Sequence, residues 1–159
     1  TVDLTPVREA AEKAIGIATD ITPAALANIA PRLRMTTLYT VAGSENRLVA
    51  GTGNRSEAYM GYFTKWGDGA YDINPIADLT VTEIYEFLAF LNAPDSIRTK
   101  APSAGLFEGQ TDEQEMGVTY AAIDRYILTG EATDADREVI ERFHNRSEHK
   151  RRSAVVYES

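Results

Sequence analysis

The stretch GTGNRSEAYMGYFTKWGDGAYDINP, residues 51–75, decides how the chain is read. It follows the apolar run Leu48-Val49-Ala50, is broken by glycines at 51, 53, 61, 67 and 69, and holds Lys65, Asp68 and Asp72. A few apolar residues stopped by glycine read as a short buried strand over Arg47 to Ala50. Asn54 and Ser56 suit the cap or first turn of a following helix, and Glu57 suits the positive end of its dipole. A strand that ends in Gly51-Thr52-Gly53 and feeds a helix leaves backbone N–H groups and the Thr52 hydroxyl at its carboxyl end, where open α/β sheets bind ligands. The spacing is not the dinucleotide fingerprint, because Arg55 or Glu57, depending on register, takes the place of the third glycine.

Outward from this stretch, helical signals dominate. Thr5-Pro6 and Thr22-Pro23 each offer a capping hydroxyl before a proline whose missing N–H is not needed at a helix start. Pro31 should break or restart the second helix, after which RLRMTTLYTVA continues with Met35, Leu38, Tyr39 and Ala42 on one face as core. Thr80 and Glu83 form a capping box ahead of Val81, Ile84, Tyr85, Leu88 and Leu91 at helical spacing. A polar loop is expected from Ala93 to Met116. Two helices close the chain, Thr119 to Leu128 with Gly130 as stop and Asp134 to about His144, before a basic run and the tail VVYES. The pattern is many helices with one or two strands, so either the domain is mostly helical or part of an α/β sheet is missing.

At 159 residues with 43% hydrophobic content, one domain of ordinary size or part of a larger one is expected. No apolar run reaches the length of a membrane span, and TVDLTPVREA lacks the regions of a signal peptide. A soluble, cytoplasmic protein is the expectation. There is no cysteine, which excludes disulfides, thiolate metal sites and thiol nucleophiles. The net charge of −8 argues against a general nucleic-acid surface. Locally, Arg32, Arg34, Arg47, Arg55, Lys65, Arg98, Lys100 and the run His149 to Arg152 supply cations that could converge on an anion, against the plainer reading of scattered solvated charge.

Glu57 has the chemistry of an oxygen ligand for a Mg²⁺ held mostly by phosphates, although a carboxylate in a first turn also serves simply to pair with the helix dipole. Lys65-Trp66-Gly67-Asp68-Gly69 places a cation and a carboxylate in a glycine loop. Around it, Tyr59, Tyr62, Phe63, Trp66 and Tyr71 provide flat faces for a ring to stack on, or else core.

Residues 51–84, then KAPSAGLFEGQTDEQEMGVTYAAIDRYI at 100–127, then RSEHKRR at 146–152 resemble, in order and interval, the synthetase domain of NAD synthetase, a member of the ATP pyrophosphatase group. The resemblance runs from near Pro6 to Arg152. It implies a Rossmann-like α/β fold of the adenine nucleotide hydrolase type, a layered sheet with helices on both faces, of which residues 1–159 are a largely helical C-terminal part. It also implies an enzyme that amidates deamido-NAD to NAD using ATP and Mg²⁺. The nicotinate carboxylate attacks the α-phosphate of ATP, pyrophosphate leaves, and ammonia, free or derived from glutamine, displaces AMP. Such chemistry asks for positioning and charge stabilisation rather than a protein nucleophile.

Carried over residue by residue, the resemblance implies that Thr52 and Ser103 contact ATP and that Glu57 helps hold Mg²⁺. Arg32, Lys65, Asp72, His149 and Lys150 would bind deamido-NAD. Relatives are homodimers with a shared dinucleotide site, and neither a membrane nor a nucleic-acid partner is expected. Two features depart from the family. The lysine common at the start of the helix after Asp78-Leu79-Thr80 is Val81 here, with Lys100 as a candidate substitute, and the Ser-Gly-Gly-x-Asp-Ser loop that cradles pyrophosphate does not occur in these residues. Two alternatives therefore stand beside the synthetase: a non-catalytic dinucleotide-binding or dimerisation remnant, and another amide- or thiol-forming enzyme of the same group. The stretch FTKWGDGAYDINP favours NAD synthetase over the latter.

Overall fold

A computed structural model describes residues 1–103 and 111–157, so the segment 104–110 of the second motif lies outside the described residues. The chain divides into two compact units. The first comprises Thr1–Gly53 with Phe63–Pro75, and the second Asn54–Tyr62 with Ile76–Ser159.

The first unit contains α1 (Thr5–Gly16), α2 (Pro23–Ala27) and α3 (Ile29–Ser44). Thr22 caps α2 as its sequence suggests, its hydroxyl accepting from Ala25 N at 3.3 Å. Thr5 does not cap α1. It lies inside the helix, and its N–H donates instead to Asp3 Oδ1 at 2.9 Å, an exchange that the short upstream carboxylate makes favourable. Pro31 sits in the first turn of α3, where the chain has restarted after Asn28, as the missing N–H requires. The expected core stripe of α3 is only partly inside: Ala42 is buried, Met35 and Tyr39 are half-buried, and Leu38 is 55% exposed.

After α3 the chain pairs once with a distant segment. Ala50 and Ile73 form a single parallel bridge, with Gly51 N donating to Ile73 O at 2.7 Å and Asp72 N to Val49 O at 2.9 Å. The expected strand over Arg47 to Ala50 is thus one rung, with Val49 buried and Leu48 and Ala50 exposed. A parallel ladder gains its order from neighbours on both sides, and here one short partner supplies one side.

The second unit contains α4 (Arg55–Met60), α5 (Val81–Phe90), α6 (Asp95–Arg98), α7 (Asp112–Met116), α8 (Tyr120–Thr129), α9 (Asp134–Arg146) and α10 (Glu148–Arg151). Met60, Val81, Met116, Val118, Tyr120, Ala122, Ile123 and Ile140 form its core. Ile123 and Ile140 are fully buried, each contributing about 1.5–3 kcal/mol relative to exposure. The Thr80–Glu83 capping box forms as read, with Thr80 N donating to Glu83 Oε2 at 2.8 Å and Glu83 N to Thr80 Oγ1 at 3.3 Å. An unforeseen box opens α7 between Thr111 and Gln114. It shortens the expected loop, as does α6. Gly130 ends α8 in the left-handed conformation at φ 77°. Of the basic run, His149, Lys150 and Arg151 lie in the short helix α10, which Arg152 ends.

Candidate functional site

The first unit carries four of the residues singled out in the sequence: Arg32, Thr52, Lys65 and Asp72. Around the bridge, Gly51 lies so close to Tyr71 that a Cβ there would meet the ring at 2.4 Å, which is why only glycine fits at the strand's end. Thr52 follows it and is exposed. Asp72 is fixed on two sides, with Oδ2 accepting from Val49 N at 2.7 Å and Oδ1 from the Tyr39 hydroxyl at 3.4 Å. The lysine loop is shaped by its own side chains. Thr64 N donates to Asp68 Oδ1 at 2.9 Å, and the Thr64 hydroxyl donates to Asn28 Oδ1 at 2.6 Å. Arg32 Nε points at the Lys65 carbonyl at 3.4 Å, which brings the two cationic residues together. Trp66 adopts a left-handed backbone at φ 63° and is 61% exposed, with Lys65 Nζ 5.5 Å from its ring centre. The unit thus brings two cations together beside an exposed aromatic face and also carries the braced Asp72 carboxylate, groups with the chemistry to meet an anionic ligand with a flat ring.

The second unit carries Glu57, Ser103, His149 and Lys150. Glu57 is half-buried in the first turn of α4, and its Oε2 accepts from Asn54 N at 2.8 Å while Asn54 Oδ1 accepts from Glu57 N at 2.8 Å. This capping box holds the carboxylate at the positive end of the helix. Beside it, Tyr120 is 3% exposed and its hydroxyl donates to Asp112 Oδ2 at 3.1 Å. Burial first, then the charges of Asp112 and Glu57, push the Tyr120 phenol far above its usual range. Tyr62 is raised in the same way, by burial and by its 2.5 Å bond to Glu115 Oε2. Ser103 and His149 are exposed.

The carboxyl end of α4 is held by the last helices. Lys150 Nζ donates to Gly61 O at 2.7 Å, and Arg151 Nη1 donates to Tyr59 O at 3.1 Å and to Ser147 Oγ at 2.7 Å. Desolvation lowers the Arg151 pKa, yet the guanidinium stays charged and satisfies carbonyls that a helix leaves unpaired. His144 stacks on Tyr59 with ring centres 4.1 Å apart, and its Nδ1 lies 2.9 Å from Tyr59 O. Tyr59 and Tyr62 therefore pack against the core rather than offering free faces, unlike Trp66 and Tyr71.

One buried group escaped the sequence reading. Asp124, on α8, is 2% exposed and accepts from Ser56 Oγ at 2.5 Å and from Thr82 N and Oγ1, both at 2.7 Å. Its signal was present: an acid directly after Ile123, among the buried residues of α8, must find partners when the helix packs.

The profile of the NAD synthase family matches residues 1–157. The chain belongs to the NAD synthase family. It is 59% identical over 132 residues, 83% of its length and 54% of the relative's, to the NH(3)-dependent NAD(+) synthetase of Carboxydothermus hydrogenoformans. Among solved structures it resembles NMN synthetase from Francisella tularensis, with 44% identity and a TM-score of 0.93 over 99% of this chain and 65% of that one. It also resembles the NH3-dependent NAD synthetase of Campylobacter jejuni, in complex with nitrate, with 26% identity and a TM-score of 0.74 over 99% and 64%. The chain spans about half the length of the curated relatives it matches. Membership agrees with the resemblance carried by residues 51–84, 100–127 and 146–152, and the structural neighbours fit an α/β adenine nucleotide hydrolase fold, although the described residues hold only the single bridge. Among the described residues no helix is long and apolar enough to cross a membrane.

Proposed function

We propose that this chain is the C-terminal part of one NAD synthetase domain that amidates deamido-NAD to NAD with ATP and ammonia. The observation that carries the reading is the match to the NAD synthase family over residues 1–157, joined to 59% identity with an NH(3)-dependent relative. The fold is the Rossmann-like layered sheet with helices on both faces, and the parallel bridge Ala50–Ile73 belongs to that sheet. In the reaction, a nicotinate carboxylate oxygen bonds to the α-phosphorus of ATP and the bond to pyrophosphate breaks. Ammonia then bonds to the activated carbonyl carbon, AMP departs, and the nitrogen loses a proton.

Each of this chain's residues has a physical task in that sequence. Arg32 and Lys65 give an anionic dinucleotide fixed positive charge, and Asp72, braced by Val49 N–H and Tyr39, gives it an oriented acceptor. His149 and Lys150 bind the dinucleotide from the C-terminal run. Thr52 and Ser103 offer exposed hydroxyls to ATP. Among the described residues no group of three or more acidic or histidine side chains is gathered for a metal. A half-buried Glu57 at a helix start suits a cation that keeps one or two protein carboxylates and takes its other ligands from phosphate and water, so Glu57 would hold Mg²⁺. When bound, Mg²⁺ neutralises charge on the phosphate oxygens. The protein works as a cytoplasmic homodimer in this reading.

A second reading, amidation of a nicotinate mononucleotide, is favoured by the TM-score of 0.93 to a protein named NMN synthetase. AMP release by the full-length gene product, measured with ATP and ammonia on each nucleotide in turn, separates the two. A higher kcat/KM on deamido-NAD supports the first reading, and a higher value on the mononucleotide replaces it with the second.

A further inference from the structure

Two helices of the second unit begin side by side, and one buried carboxylate joins them. The N-terminus of α4 holds Glu57, and that of α5 holds Val81, where the resemblance places a phosphate-contacting lysine in relatives. The first N–H groups of any helix lack intrahelical partners and are costly to bury unpaired. Asp124 meets this demand for α5, directly at Thr82 and through the Ser56 hydroxyl of α4 at Val81. Its Oδ1 accepts from Ser56 Oγ at 2.5 Å, its Oδ2 accepts from Thr82 N and Oγ1 at 2.7 Å each, and Ser56 Oγ in turn accepts from Val81 N at 3.2 Å. Ser56 is fully buried and Asp124 is 2% exposed, so water does not substitute for these bonds.

From this geometry we infer that Asp124, acting through Ser56 and Thr82, is a positioning residue that fixes the first turn of α4, and with it Glu57, against the first turn of α5. The inference rests on the proposed role of Glu57 as the Mg²⁺ ligand. A buried carboxylate that only accepts is matched to three donors here, and its two oxygens serve the two helices separately. Asparagine keeps the shape but turns one oxygen into a donor. Turned towards Thr82, the amide N–H faces the Thr82 N–H donor to donor; turned towards Ser56, it is accepted by the hydroxyl but forfeits the charge-assisted bond, so the link between the helices weakens while the core around Ile123 stays filled.

The test compares Asp124→Asn, Ser56→Ala and Ile140→Val in the full-length gene product. Ile140 is fully buried in the same core but makes none of these bonds, so its variant reports a loss of stability alone. Amide hydrogen exchange is read at residues 54–57 and 81–83, and the Mg²⁺ concentration for half-maximal AMP release is read alongside. Asp124→Asn and Ser56→Ala are expected to speed exchange at both first turns at least tenfold and to raise the Mg²⁺ requirement several-fold, with neither change in Ile140→Val. Unchanged exchange at either first turn overturns the staple, as does a Mg²⁺ shift equal to that of Ile140→Val. If wild-type protein releases no AMP, the functional reading fails, and with it the part assigned to Glu57. The exchange data then still decide whether Asp124 joins the helices.

Discussion

Glu57 and Lys65 are separated by eight positions and differ in what their loss should do. Removing the carboxylate takes away half of a capping box and, on the proposed function, a Mg²⁺ ligand, so Glu57→Ala is expected to lower kcat for AMP release by at least tenfold and to abolish its ordinary dependence on Mg²⁺. Steady-state rates across a Mg²⁺ series check this, and an unchanged dependence removes Glu57 from the site. Lys65→Ala removes the charge that the proposed function offers to the dinucleotide, so KM for deamido-NAD should rise more than kcat falls. Tyr120 makes a prediction about pH. Its phenol is raised in the folded state, so above pH 10 or so the unfolded chain loses a proton that the folded chain keeps, and stability falls as pH rises. The contribution is whole below the unfolded value and is lost progressively above it. Denaturant melts between pH 8 and 11 should show this decline, and Tyr120→Phe should make it shallower, leaving the share of Tyr62 and smaller shares of the other raised tyrosines.

At the level of elements, the short helix α4 depends on its ends. Asn54→Ala removes the acceptor for Glu57 N and should cost about 1 kcal/mol, visible as a lower melting temperature with activity reduced only in step. Gly61 is more demanding. It closes α4 at φ 65°, and a Cβ there would lie 2.1 Å from the Ser147 side chain, so Gly61→Ala combines left-handed strain of about 1–2 kcal/mol with a clash against α9's end. Which elements could be read in advance follows from where their causes lie. The box of α5, the Asn54 and Thr22 caps and the Gly130 stop are local, written within three or four residues. The Ala50–Ile73 rung pairs residues 23 positions apart, and the Asp124 bonds span 68 and 42. Neither has a local pattern beyond an acid among apolar neighbours. The stripe on α3 misled because helical spacing tells which residues share a face, not whether anything covers it, and Leu38 is open.

For the whole molecule, the exposed side chains of Phe87, Phe90, Leu91 and Ile97 in the second unit, and of Val7, Ile17, Leu38 and Val41 in the first, are more than an isolated chain tolerates comfortably. The 159 residues expressed alone are expected to associate, with a solution mass above that of the monomer by light scattering, and to release no AMP, since no Ser-Gly-Gly-x-Asp-Ser loop occurs among them. The family could be recognised from three stretches of sequence, because their order and spacing form a pattern that helix packing alone does not impose. The tasks of Lys150 and Arg151 were legible only in part, as a basic run tells of charge but not of the α4 carbonyls that it caps. The most direct measurement is product stoichiometry: the full-length gene product is given ATP, Mg²⁺, ammonia and deamido-NAD, and NAD, AMP and pyrophosphate are quantified together. Equal amounts of all three are predicted. ATP consumption without NAD, or no turnover at all, would contradict the account.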